Sequence, residues 1–393
     1  MQEIKIVSGA SYGDEGKGLA TDFFACRSSG QTVNVLTNGG PQRGHTVELD
    51  DGRRHVFKHF GAGTFRGAET YFAEQFMVNP MEFVREYDIL ADIHGEPASY
   101  AAPGCRFTTP WDMLINQFLS LKNGRHNTCG FGIWETYLRY MRGQGISLGR
   151  FAGMSQEERH AYLCGLRDGY FICRAKELGL TEWMDGERGD LGDVFFAEGL
   201  VRHYEEDFDT MLSLCPIREE ELLRGFGTVI FENAQGLLLD GNREAEKDKT
   251  TPSTTGIGRV LRIVERQFRS ADVEAIYVTR SYLTRHGEGT MENELSASDV
   301  RKTLPCILTD RTNKENCFQG SLRYGILDEK KLADRIVTDF RRSASARNNA
   351  YRCSVMMTHL NEYGNIDTRM LAGMIGGSVY LSDGRTAKDI CRG

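Results

Sequence analysis

No stretch of the chain approaches the ~18 consecutive apolar residues of a membrane helix. The opening Met-Gln-Glu-Ile-Lys-Ile lacks a signal-peptide pattern and leads directly into a strand-like run, so the expected location is cytoplasmic. An excess of positive charge is also missing. The formal net charge is -7, which argues against a nucleic-acid-binding surface and leaves small molecules as the expected partners. The ten cysteines include no Cys-x-x-Cys pair, and neither they nor the nine histidines show metal-ligand spacing. Reduced thiols in a reducing compartment are therefore expected. There is no internal repeat and no low-complexity tract.

What is present is ordinary for a globular enzyme, with 40% hydrophobic and 26% charged residues in 393 positions. Short β-branched runs recur at Ile4 to Val7, Val33 to Leu36, Thr228 to Phe231, Ala275 to Thr279 and Ser354 to Met357, with helical-looking stretches between several of them. This pattern predicts an α/β fold built on an open, mostly parallel sheet flanked by helices. From about 150 to 225 the pattern changes to a helical insertion. It opens with the capping-box spacing Ser155 to Glu158 and places Leu163, Leu166 and Tyr170 on one helical face. The charge clusters Glu205-Glu206-Asp207 and Arg218 to Glu221 read as solvated faces, and residues 241 to 249 as a polar loop.

The first chemical signal is Gly13-Asp14-Glu15-Gly16-Lys17-Gly18, placed between a strand and a helix. Glycines allow close backbone approach to an anion, a helix N-terminus aims N–H groups at it, and Lys17 can neutralise phosphoryl charge. It is a P-loop-like segment and not a Walker loop, whose register would need glycine at Ser11 and Ser or Thr at Gly18. Asp14 is the nearest oxygen donor for a metal. A Gly-rich turn carrying a solvated acid pair would have the same letters.

Two further segments follow predicted strands: Asn38-Gly39-Gly40-Pro41-Gln42-Arg43-Gly44-His45-Thr46, and Phe231-Glu232-Asn233-Ala234-Gln235-Gly236 through Asp240 with Thr250 to Gly256 after it. In open sheets, ligands gather at the carboxyl ends of strands. In this order and spacing the three segments resemble the hallmarks of the adenylosuccinate synthetase family. Thr279 to Arg285 and Tyr324 to Asp328 extend the resemblance toward the C-terminus, so residues 1–393 are expected to be one domain of that kind.

The resemblance implies an NTP-dependent, C–N bond-forming ligase of purine biosynthesis. It phosphorylates O6 of a 6-oxopurine nucleotide and then joins an amine, aspartate in the family, at C6. Asp14 would be the general base and a Mg²⁺ ligand with the Gly44 carbonyl, and His45 would stabilise the transferring phosphoryl group. Gly13, Glu15, Gly16, Lys17, Gly18 and Thr46 would hold the NTP phosphates. Thr358, His359, Asn361, Ser382 and Gly384 would form the NTP base site. Gln42, Thr128, Cys129, Gln235 and Thr250 would hold the purine monophosphate, and Gln319, Ser321 and Arg323 the amino acid. The family is dimeric, and Arg139 or Arg142 is expected to reach a neighbouring subunit's nucleotide.

Departures from the family pattern refine these expectations. The base-reading Thr-Lys-x-Asp is here Thr358-His359-Leu360-Asn361. An amide cannot accept both guanine N–H groups as a carboxylate does, so ATP or dATP is expected in place of GTP. The arginine-rich amino-acid loop retains one arginine, Arg323, which leaves open an amine other than aspartate. Phage-type relatives that act on dGMP often replace the catalytic Asp with Ser. Asp14 is kept here, so IMP is the expected acceptor and GMP or dGMP the alternative. Two other readings are a binding protein that lost the chemistry and a plain P-loop NTPase. The first is disfavoured by the joint presence of Asp14, Lys17, His45 and Gln235, and the second by the missing Walker hydroxyl.

Overall fold

The computed structural model describes residues 2–123, 129–184, 191–241, 253–287, 289–307, 321–344 and 349–393. Thr128, Thr250, Gln319 and the polar loop expected at 241 to 249, beyond Gly241, lie outside the described residues. Among those described, nine strands form one sheet: β1 (Gln2–Gly9), β2 (Thr32–Leu36), β3 (Glu69–Phe72), β4 (Ser99–Ala101), β5 (Thr228–Gly236), β6 (Ala271–Arg280), β7 (Ala350–Thr358), β8 (Ser378–Ser382) and β9 (Ile390–Arg392). Their spatial order is β9-β8-β7-β6-β1-β5-β2-β3-β4. Every neighbouring pair is parallel except β8 with β9.

The five strands expected from sequence are the five contiguous central ones. Their β-branched runs are buried on both faces, as parallel sheets require when helices cover each side. Ile4, Ile6, Val33 and Val35 face one core, while Val7, Ile230, Ile276 and Val278 pack under the helix Lys17–Arg27. Polar residues inside these strands are paired laterally. Lys5 of β1 meets Glu274 of β6 at 2.7 Å, and Glu274 also accepts from Ser354 of β7 and Tyr380 of β8. A charge that cannot reach water thus has a partner in the next strand.

The described residues of the stretch from about 150 to 225 are mainly helical, and the helices Pro110–Asn123 and Ile133–Met141 precede it. Its capping box at Ser155 and Glu158 opens the helix Gln156–Gly165, and Leu163 and Leu166 are buried. One correction concerns the acidic cluster: Glu205 is not solvated but buried, 3.3 Å from His160. The nine cysteines among the described residues are unpaired thiols. No helix among the described residues is long and apolar enough to cross a membrane.

Candidate active site

Because all but one of the strands run parallel, the loops after β1, β2, β5, β6 and β7 meet along one edge of the sheet. The phosphate loop occupies its centre. Gly13 and Gly16 sit at φ 117° and 92°, values that glycine adopts without strain. Lys17 folds back to donate its ammonium to the Gly13 carbonyl, and Glu15 accepts the Ser11 N–H. Glu15 and Lys17 are both buried and 3.7 Å apart. Burial pushes the Glu15 carboxyl up to about 7 against the pull of Lys17, and burial likewise pushes the Lys17 ammonium down. The absent Walker hydroxyl has a steric cause: a Cβ at Gly18 would lie 2.6 Å from the Thr46 carbonyl oxygen. The helix Lys17–Arg27 can pack on the hairpin His45–Glu48 and Arg54–Phe57 only with glycine there.

That packing brings His45 to the loop. Its Nδ1 is hydrogen-bonded to Oε1 of Glu232 on β5, whose Oε2 accepts the Ala62 N–H at 2.9 Å. Arg43 approaches the same carboxylate at 3.5 Å and donates to the Lys58 and Phe60 carbonyls at 2.7 Å each. Arg43 and His45 together hold the Glu232 carboxyl below its usual range despite burial. Burial and the Arg43 charge push His45 down to about 4, with Glu232 pulling the other way. The imidazole is therefore neutral at pH 7, its Nδ1–H committed to Glu232 and its Nε2 left for a ligand.

Asp14 stands at the mouth of the cleft with its side chain 28% exposed, and His286 Nε2 lies 3.7 Å from its carboxylate. Its carbonyl accepts from Arg280 at the end of β6. The cleft wall contains Gly13 to Gly18, Gly44 to Thr46, His359, Asn361 and Gly384 of the expected residues, joined by Arg280, Tyr282, Glu362 and Arg385. Thr358 and Ser382 stand behind this wall. The Thr358 hydroxyl ties the Glu15 carbonyl at 2.9 Å, and the Ser382 hydroxyl bonds Gly384 O at 3.2 Å. Gln235, at φ 65°, turns its side chain toward Gly13, and Cys129 Sγ is 4.0 Å from the Gln42 carbonyl. Burial raises the Cys129 thiol to about 11.

Arg323 is occupied: it pairs with Glu294 and donates to the carbonyls of Gly287 and Gly289 at 2.8 and 3.0 Å, while Ser321 is exposed nearby. Arg139 is fully buried against Asp112 at 2.9 Å, so of the two candidate cross-subunit arginines Arg142 is the one at the surface. Glu232 and Arg280 were not assigned from sequence. Each is an ionisable residue at the carboxyl end of a recognisable strand, a signal that was available.

A glycine-rich loop at the centre of an open parallel sheet, with a lysine and a carboxylate-held histidine beside it in one polar cleft, defines an α/β protein with its candidate site at the carboxyl ends of the strands. A family model for adenylosuccinate synthetase matches residues 6–307. The chain belongs to the adenylosuccinate synthetase family. Curated relatives of that name include those of Prochlorococcus marinus subsp. pastoris (strain CCMP1986 / NIES-2087 / MED4), 27% identical over 307 residues covering 75% of this chain and 64% of the relative, and Aquifex aeolicus (strain VF5), 25% identical over 76% and 66%. The chain thus spans just under two thirds of the length of these relatives. Among solved structures, fully ligated adenylosuccinate synthetase from Plasmodium falciparum superposes with a TM-score of 0.72 at 15% identity, covering 99% of both chains. The cyanophage S-2L succinoaminodeoxyadenylate synthetase bound to dGMP and dATP gives 0.63 at 12%, covering 100% of this chain and 95% of that one. Both likenesses speak to fold.

Proposed function

We propose that this protein is an NTP-dependent ligase that activates O6 of a purine nucleoside monophosphate, IMP by preference, and joins L-aspartate at C6. The observation that carries the reading is the convergence of Asp14, Lys17 and His45 on one cleft. Binding alone needs the lysine but neither a base nor a phosphoryl-facing histidine.

Oxide is a poor leaving group, so a 6-oxopurine must be activated before an amine can displace its oxygen. Asp14 takes the N1 proton, electron density moves to O6, and O6 attacks the γ-phosphorus in line with the departing diphosphate oxygen. The transferring phosphoryl group brings negative charge against His45 Nε2. With Glu232 already on Nδ1, the ring then sits between two anions, which favours the imidazolium and lets Nε2–H donate to that charge. The free amine adds at C6, gives one proton to solvent and keeps one N–H, and phosphate leaves with the C6–O6 bonding pair, carrying the original O6.

Mg²⁺ fits the oxygen donors present, with the Asp14 carboxylate and Gly44 carbonyl as protein ligands. No group of three or more His, Cys, Asp or Glu able to hold a metal occurs among the described residues. Mg²⁺ keeps waters and nucleotide phosphates as its other ligands. When bound, it would offset charge on the β- and γ-phosphates.

Asn361 on the cleft wall supports ATP or dATP as donor. Cys129, where the family carries threonine, supports an altered acceptor pocket, and the dGMP bound in the cyanophage structure makes (d)GMP the second acceptor to test. Mass spectrometry of products from ATP or GTP, IMP or dGMP, and aspartate with Mg²⁺ tests the reading. An aspartyl-purine adduct is expected. Absence of any adduct and of phosphate release for every pair would contradict it, and phosphate release without an adduct would mean that the amine is not aspartate.

A further inference from the structure

The helical stretch from about 150 to 225 carries a cluster of ionisable side chains that shares no residue with the phosphate-loop cleft. Its helix Gln156–Gly165 runs on through a π-helical turn, Leu166–Phe171, into the helix Ile172–Glu177. His160 and Cys164 are four positions apart on the first of these and so share one face, a pairing legible only once the helix is known. Cys164 Sγ lies 3.6 Å from Nε2 of His160. The other ring nitrogen, Nδ1, is 3.3 Å from Oε2 of Glu205 on the neighbouring helix Glu198–Leu214.

The Glu205 side chain is only 9% exposed, and its Oε1 is buried with no hydrogen-bond partner among the described residues. One imidazole contact leaves the charge of that carboxylate only partly compensated. Around the thiol, burial pushes its pKa up, Arg167 pulls it down, and the carboxylates of Asp168, Glu205 and Glu198 push it up again. Arg167 is itself committed to Asp168, at 2.6 and 3.0 Å. A thiol kept protonated by burial and negative surroundings is a poor nucleophile, but the same field draws a cation able to displace the proton.

The geometry fits such an ion. Zinc bonds of ~2.3 Å to sulfur and ~2.0 Å to nitrogen, meeting at a tetrahedral angle, place the two ligand atoms about 3.5 Å apart, against the 3.6 Å between Cys164 and His160. Glu205 stands where a carboxylate fixes the tautomer of a metal-bound histidine, accepting Nδ1–H and leaving the Nε2 lone pair for the metal. We infer that His160 and Cys164 form a transition-metal site of the zinc class, with Glu205 as its orienting carboxylate. On binding, the Cys164 thiol gives its proton to solvent, and the sulfur and the His160 Nε2 each donate an electron pair to the ion. No group of three such side chains able to hold a metal occurs among the described residues, so waters complete the coordination and the site is open. Thiolate and imidazole together favour zinc over magnesium, which takes oxygen ligands.

Cobalt(II) stands in for zinc in such sites and reports a bound thiolate through a charge-transfer band in the near ultraviolet, which an ion held by oxygen ligands at Asp14 does not give. Titration of the reduced full chain with Co²⁺ in excess Mg²⁺ is expected to raise that band to saturation at one equivalent, and Zn²⁺ should abolish it. Cys164→Ala should eliminate the band, while Cys173→Ala, which removes an exposed thiol on the continuing helix, should leave it intact. His160→Ala and Glu205→Gln should each weaken Co²⁺ binding at least about tenfold, with unfolding midpoints confirming that each variant is folded. No thiolate band in the parent, a band that survives Cys164→Ala, or an affinity unmoved by His160→Ala would overturn the inference.

Discussion

Glu232 holds His45 through Nδ1 while its second carboxylate oxygen accepts the Ala62 N–H at 2.9 Å. One acid thus orients the ring, fixes which nitrogen faces the cleft and supplies the negative charge that an imidazolium would need. Glu232→Gln keeps the shape and removes the charge. It should lower kcat at least about tenfold with little change in nucleotide KM, as expected for a partner that orients a catalytic histidine. Steady-state kinetics at saturating nucleotide checks the split; a rise in KM at constant kcat would make Glu232 a ground-state binding residue.

Asn361 lines the wall of the cleft that holds Asp14 and Lys17, beside Glu362. Asn361→Asp restores a carboxylate able to accept from both guanine N1–H and N2–H₂. The ratio of kcat/KM for GTP to that for ATP should rise about tenfold, within the ~1–3 kcal/mol attached to an unmatched buried donor. Competition between the two nucleotides in one reaction reads that ratio directly.

The buried pair of Arg139 and Asp112 makes a different kind of prediction. Arg139→Leu leaves the Asp112 carboxylate without its cation in a fully buried position and should cost about 3–5 kcal/mol in urea unfolding. Adding Asp112→Asn removes that charge while keeping an acceptor for the Thr109 N–H, so it should recover part of the loss. A loss of activity in folded Arg139→Leu protein with no loss of stability would contradict a structural role.

His59 gives the acid limb of the stability profile. Its Nε2 accepts the Asn79 N–H at 3.0 Å, and burial pushes its pKa down to about 3 from an ordinary 6.5. As pH falls below 6.5 the unfolded chain takes up this proton and the folded one does not. The contribution is therefore whole above 6.5 and is lost toward pH 3, at a slope approaching about 1.4 kcal/mol per pH unit. His59→Gln keeps an acceptor for Asn79 and does not titrate. Its urea midpoint should fall less between pH 6.5 and 4 than that of the parent.

The parts of the fold legible in sequence were those with strong local signals. The five central strands carry β-branched runs because both of their faces are buried. The outer strands β3, β4, β8 and β9 are three to five residues long and carry residues such as Glu69, Ser99 and Arg392, so no run of that kind marks them. At the site, the glycine loop and His45 were legible because their spacing is dense in chemistry. The tie between Glu232 and His45 spans 187 positions and that between Asp112 and Arg139 spans 27, and partners brought together by folding leave no periodic trace. Burial of Arg139 and Glu205 was missed for the same reason: charge in a sequence reads as exposure until its partner is known.

The central claim is that O6 of the purine becomes an oxygen of the released phosphate. It is tested most directly with IMP and dGMP carrying ¹⁸O at C6, incubated with ATP, aspartate and Mg²⁺, followed by mass analysis of the phosphate. The account predicts phosphate bearing one ¹⁸O and a purine product that has lost it. Unlabelled phosphate, with ¹⁸O retained in the purine, would mean that the cleft hydrolyses nucleotide with water and that the proposed activation does not occur.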